Sequence, residues 1–144
     1  SGPVFVASAT RDPRGGGNLL QRIQIIKGWI DSEGRTHQAV FDIAGAATGE
    51  ASVDPRTCAV SGKGFTQLCA TWRDPEFDPA LAAVYYAPDL ENPSCRWSHY
   101  DCLTLPEAQR PPSCSDPALP WQVQERAWTS PIWYRPVPGG PAPG

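Results

Sequence analysis

The side chains best suited to chemistry in this chain are two histidines, His37 and His99, and the alternating acids Asp74, Glu76 and Asp78. Catalytic zinc takes three protein ligands, commonly with several histidines among them. Two lone histidines with no H-x-H or H-E-x-x-H around them do not make such a set. Asp74, Asp78 and His99 are the weak metal candidates. Oxygen donors at alternating positions are what a calcium loop uses, but an EF-hand also needs further acids, a glycine and a distant glutamate. Arg73-Asp74-Pro75-Glu76-Phe77-Asp78-Pro79 does not fit that pattern. Its plainer reading is two Asp-Pro turns with Phe77 buried between them. Ser113, Ser115 and Ser130 lack a G-x-S-x-G context. Gly15-Gly16-Gly17 is followed by Asn18-Leu19, not by the Lys-Ser/Thr pair of a phosphate loop. No catalytic and no cofactor-binding residue is assigned.

The aromatic set is richer: Trp29, Trp72, Tyr85, Tyr86, Trp97, Trp121, Trp128, Trp133 and Tyr134. If exposed, Trp97, Trp121 and Trp128, or Tyr85 and Tyr86, form a platform for stacking on a carbohydrate or an interface with another part of the protein. Arg96 beside Trp97 and Arg126 near Trp128 would add cation–π contacts. If buried, these rings are the core of a small β domain, which is the commoner use.

The five cysteines, Cys58, Cys69, Cys95, Cys102 and Cys114, contain no C-x-x-C pair. They cluster near turn residues, which favours an exported (periplasmic or secreted) protein with two disulfides and one free thiol. Five reduced thiols in a cytosolic protein is the alternative. Local closure suggests Cys58–Cys69, with the second bridge drawn from Cys95, Cys102 and Cys114.

These residues sit in a chain of 144, the length of one domain. A net charge of −3 argues against a nucleic-acid binder. No run approaches the roughly 18 apolar residues of a membrane-spanning helix. There are 17 prolines and no methionine, even at position 1, so a turn-rich part of a longer protein is expected. Residues 4–9 read as a strand and Leu20 to Ile30 as a second, with Arg22, Gln24 and Lys27 taken as its solvent side. Asp31-Ser32-Glu33-Gly34 is a turn, and Thr36 to Ala44 alternates with His37, Ala39, Phe41 and Ile43 on one face. Strand, short turn, strand predicts a β-hairpin. Residues 45–66 read as a polar connector and Gln67 to Arg73 as a strand. Asp78-Pro79 can open one helical turn, and Ala83 to Leu90 is a strand that Pro88 puts at an edge or bulge. Val123 to Tyr134 is a closing strand broken by Pro131, and residues 136–144 are a disordered Pro/Gly tail. Five Asp-Pro dipeptides, beginning at residues 12, 54, 74, 78 and 116, punctuate the elements. The fold expected over residues 1–135 is mainly β: an antiparallel β-sandwich-like unit with long proline-rich loops and little helix.

Four segments resemble a known pattern. They are Arg22-Ile23-Gln24-Ile25-Ile26-Lys27-Gly28-Trp29, Trp72 through Pro79, Glu91-Asn92-Pro93-Ser94-Cys95-Arg96-Trp97-Ser98, and Glu125 through Tyr134. In order, from about Val4 to Tyr134, they resemble the C-terminal part of domain-of-unknown-function family 3604. The resemblance implies a bacterial protein several times longer than this chain. Its N-terminal portion would resemble metal-dependent phosphoesterases of the polymerase-and-histidinol-phosphatase type and carry the ligands for a divalent metal. None of those ligand motifs occurs here. The functional expectation is therefore a non-catalytic segment that supports or completes that catalytic part, with the N-terminal part as its partner. A carbohydrate-binding module is the alternative, and a metal-dependent hydrolase in its own right is the second alternative.

Overall fold

A computed structural model describes residues 2–14 and 17–137. The larger sheet is organised around β2 (Leu20–Ile30), which pairs antiparallel with β3 (Thr36–Gly45) as the predicted hairpin. The turn is fixed by Asp31, whose carboxylate accepts the Glu33 and Arg35 N–H groups, and by Gly34 at φ 81°. The other side of β2 is occupied by β7 (Ala83–Tyr86) and β8 (Pro88–Glu91), which run as one strand interrupted at Ala87. Beyond them lie β11 (Arg126–Trp128) and β12 (Ile132–Tyr134), interrupted in turn at residues 129–131. The two interruptions face each other: Ala87 N–H donates to Thr129 Oγ1, and Thr129 N–H donates to the Ala87 carbonyl. Pro88 and Pro131 sit at these breaks because proline cannot donate to a ladder.

A second sheet lies over this one. It has two strands, β1 (Val4–Thr10) and β6 (Gln67–Arg73), paired without a register shift. The inward residues of both layers meet in two clusters. Leu20, Ile23 and Leu68 form one, and Ile25, Ala83 and Tyr85 the other, with Phe5 and Trp72 against it. The mainly β, antiparallel sandwich-like expectation holds.

Residues 45–66 are not a bare connector. They contain the short hairpin of β4 (Ala51–Val53) and β5 (Val60–Gly62), too brief to show a period. Past β8, the chain forms β9 (Ser94–Cys95), the helix α1 (Trp97–Thr104) and two 3-10 turns, then returns through β10 (Gln122–Val123) paired on β9. Residues 96–121 thus form a satellite at the tip of a long strand pair.

All five Asp-Pro dipeptides fold alike. Asp12, Asp54, Asp74, Asp78 and Asp116 each accept, at Oδ1, the N–H two residues on, at 2.7–2.9 Å. Proline holds its predecessor extended and offers no N–H, so the aspartate side chain closes the turn. The helical turn expected at Asp78-Pro79 is only such a turn, and Phe77 is half-buried with its ring edge-on to Tyr134. Residues 138–144 of the expected tail, and Gly15 and Gly16, lie outside the described residues.

Arg22 and Lys27 of β2 do not face solvent as expected. Strand side chains alternate, so Lys27 shares the inward face of Ile23 and Ile25 and cannot lie with Arg22 and Gln24. Lys27 is 4% exposed, and Arg22 on the outer face is also buried, beside Asp42. Lys27 Nζ lies 2.7 Å from Asp74 Oδ2 and donates to the Glu76 carbonyl at 2.7 Å. Breaking a buried pair by removing one partner costs about 3–5 kcal/mol. Lys27→Met should lower stability by that amount in urea denaturation. Lys27→Met combined with Asp74→Asn should cost less than the two single changes summed, and simple additivity would argue against a coupled pair.

Candidate functional site

The two-stranded sheet covers only part of the four-row sheet. β6 packs over β3 and β2, and β1 over β2. The inner face of β7–β8 and β11–β12 is left as an open groove of about 300 Å³ beside β1. Its floor is apolar, with Phe5, Ala7, Ile25 and Tyr85, and Asp89 and Thr129 bring polar groups into it. A concave, mostly apolar site with a few convergent polar groups is the usual form of a binding site.

Asp89 is the unusual member. Its Oδ1 is buried and has no hydrogen-bond partner. Two other buried atoms, Arg22 Nε and Asn92 Oδ1, share that condition among the described residues. Arg22 Nε lies 3.4 Å from the Asp42 carboxylate, and Asn92 Oδ1 belongs to a neutral amide whose Nδ2 donates to the Lys63 carbonyl, so Asp89 Oδ1 is the orphaned atom that belongs to an acid. Burial pushes the Asp89 carboxyl above its ordinary pKa. Glu91, two residues on, is raised by burial and then by the charges of Glu125 and Asp89.

The residues singled out from the sequence lie in separate places. Asp74 is 3% exposed and fully engaged: it accepts from Tyr85 Oη at 2.7 Å and from the Glu76 N–H, besides pairing with Lys27. Burial alone would raise its pKa. The hydrogen bonds from Lys27, Tyr85 and the Glu76 N–H, with the Lys27 charge, outweigh burial and hold it low. The Tyr85 hydroxyl is pushed up by burial and by its bond to that carboxylate. Asp78 is exposed and closes its own turn. His99 lies on α1 and bonds the Pro55 carbonyl through Nε2 at 2.7 Å. Asp74, Asp78 and His99 do not form a ligand group among the described residues. The three ligand atoms that do lie within 4.8 Å of one another belong to Cys58, Cys95 and His99. There the two sulfurs are bonded to each other, and the trio is a structural joint.

The expected Cys58–Cys69 bridge is replaced by Cys58–Cys95, and the second bridge is Cys102–Cys114. Cys69 is free and exposed: it sits mid-strand on the outer face of β6, whose inward residues are Leu68, Ala70 and Trp72. Cys58, at φ 57°, ends a tight turn whose N–H returns to the Asp54 carbonyl, and this aims its sulfur at β9. Neighbours in sequence are thus less reachable than a strand 37 residues away.

Among the aromatics, Tyr85 is 2% exposed and offers no ring face to a ligand. Trp97, Trp128 and Trp133 are exposed at 76%, 55% and 68%. Tyr86 meets Trp128 at a 40° tilt, and Trp121 meets His99 at 46°, so neither pair is coplanar. Among the described residues the cations over aromatic rings are Lys27, on Trp29 and Tyr85, and Lys63, on Phe65, and not Arg96 or Arg126. The open groove arises from which strand lacks a neighbour, and that has no local sequence signal.

Fold and cysteines together define a disulfide-stapled antiparallel β-sandwich unit with one uncovered inner face. The family model for "Protein of unknown function (DUF3604)" matches residues 1–136, and the chain belongs to that family. No curated protein and no solved structure matches it.

Two outcomes follow. Peptide mapping without reduction should join Cys58 to Cys95 and Cys102 to Cys114, with Cys69 open to alkylation; a Cys58–Cys69 peptide would overturn the assignment. In the chain-entropy model, separations of 37 and 12 residues correspond to about 4 and about 3 kcal/mol. The second outcome concerns Asp89. A carboxyl whose folded pKa is raised favours folding below its unfolded value and loses that contribution as pH rises through the folded value. Asp89→Asn should therefore raise the urea midpoint at pH 7, with the gain vanishing below about pH 4.

Proposed function

We propose that the chain is a non-catalytic β-sandwich module that docks on, and supports or completes, a larger catalytic part of the same protein. The catalytic part is a metal-dependent phosphoesterase of the type the family resemblance implies. The observation that carries this reading is the uncovered half of the larger sheet, continued at its outer edge by exposed Ile132, which lies opposite Tyr85 on the inner face. A contiguous apolar surface on a soluble domain marks an interaction site.

The polar chemistry supports the same reading. Asp74 is held by Lys27 and Tyr85, while Asp78 and His99 are held by backbone groups. Each is fixed by structural bonds. The divalent metal belongs, on this reading, to the catalytic part. Two disulfides support an oxidising, extracytoplasmic compartment. Among the described residues, no helix is long and apolar enough to cross a membrane.

The test compares the full-length protein with a form lacking residues 1–136. The truncated form should melt lower and lose phosphoesterase activity, and adding the separate chain should restore part of both. In the full-length protein, Ile132→Asp should reproduce part of the lower melting point. Equal melting point and activity with and without these residues, together with no association on a sizing column, would sink the docking role.

A further inference from the structure

β1 has a second edge that pairs with nothing among the described residues. The register identifies which groups lie there. Arg11 N–H donates to the Thr66 carbonyl, and Asp74 N–H to the Pro3 carbonyl. Both are directly opposed pairs, and hydrogen-bonded pairs alternate along an antiparallel ladder. Residues 3, 5, 7, 9 and 11 therefore bond β6, and the N–H and C=O groups of Val4, Val6, Ser8 and Thr10 point to the free edge. Phe5 through Ala9 line the groove consecutively, as a strand does when its edge and not only one face borders the space.

Natural sheets blunt such edges with charges, prolines, bulges or shortness. Val4-Phe5-Val6-Ala7-Ser8-Ala9-Thr10 has none of the first three, and is seven residues long. Its register is unbroken, and Val6 is exposed. The position a third strand would take beside β1 lies over β7–β8, where the groove is open. In that groove the one charged group is Asp89, with Oδ1 buried and unpartnered. An uncompensated buried carboxylate oxygen is costly unless a donor meets it.

We infer that β1 is a strand-addition site, which receives an extended segment of the catalytic part, apolar at alternate positions, with a lysine or arginine over Asp89. This rests on the docking reading and narrows it to one strand and one ion pair. Main-chain bonds to β1 supply affinity and the pocket under the strand supplies selectivity, as in other strand-addition complexes. The apolar alternate side chains cover Phe5, Ala7 and Ile132, and the cation pairs with the desolvated carboxylate.

The probe is a strand peptide of alternating valine and threonine with a central lysine, compared with the same peptide carrying glutamate. On binding the lysine peptide, the amides of Val4, Val6, Ser8 and Thr10 should become protected from hydrogen exchange, while those of residues 5, 7 and 9 stay as protected as before. The glutamate peptide should not protect them. Asp89→Asn should weaken the lysine peptide about thirtyfold or more, the loss expected when one member of a buried charge pair is removed. Val6→Pro removes an outward N–H without touching the β6 ladder, so it should block binding in a folded chain. Equal binding of both peptides, or no effect of Asp89→Asn, overturns the ion pair. Dimerisation of the chain through β1 would assign the edge to a second copy and overturn the proposal. In the full-length protein the same four amides should be protected. If the two parts associate but these amides exchange freely, strand addition fails and docking stands; if they never associate, both fail.

Discussion

The sandwich depends on one buried ion pair. Lys27 comes from the central strand, Asp74 from the turn that ends β6, and Tyr85 from β7, so three elements converge on one carboxylate. Taking two charges out of water costs several kcal/mol per ion, and the cost is offset only when the remaining polar valences are filled. Here they are filled. Lys27 also meets the Glu76 carbonyl and lies 5.1 Å from the Trp29 ring centre, and Asp74 receives two hydrogen bonds besides the ammonium. Because the Asp74 pKa is depressed, the contribution is present above the unfolded carboxylate value and is lost as pH falls through the folded one. The pair also fixes where the upper sheet sits. It anchors the end of β6 to the inward face of β2, and that leaves β1, not β6, facing the open half.

Asp74 and Asp89 make an instructive contrast within one domain. Both are taken from water on the inner side of the larger sheet. Asp74 has a donor for each oxygen and its pKa falls; Asp89 has an orphaned oxygen and its pKa rises. The first arrangement holds a structure together without further partners. The second is the form a site takes when its partner comes from elsewhere, because the desolvation cost is recovered only on binding. The paired breaks at Ala87 and Thr129–Pro131 lie beside Asp89, where interruptions of a ladder re-aim side chains.

What the sequence made legible follows from the range of the interactions involved. The β2–β3 hairpin was readable because its evidence is local: β-branched residues at period two and an Asp-to-Gly turn between them. The break at Pro131 and the Asp-Pro turns were readable for the same reason, since proline acts on its neighbours. Lys27 was misread because charge alone suggested solvent, although its parity with Ile23 and Ile25 pointed inward. Cys58–Cys69 was preferred on closeness in sequence, but strand geometry turns Cys69 outward. The groove and the free edge of β1 had no local signature, because they are defined by a neighbour that is missing. Family membership, by contrast, was carried by blocks spread along nearly the whole chain, and the match over residues 1–136 agrees with them.

Stability is divided between two mechanisms along this chain. The sandwich holds itself by apolar burial and the Lys27–Asp74 pair, neither of which depends on redox state. The satellite is different. Helix α1 buries no residue, has no side-chain cap, and carries no acid in its first turn or base in its last. An isolated eight-residue helix of that kind is not stable in water. Its order comes from the Cys102–Cys114 bridge, from Cys58–Cys95 packed with Val53 and Leu103, and from His99 bonded to the Pro55 carbonyl. Reducing conditions therefore act first on residues 96–121 and leave the open groove, the Asp89 carboxylate included, attached to an intact sheet. An oxidising environment would matter for the tip of the long strand pair, while the proposed docking surface rests on the part of the fold that needs no disulfide.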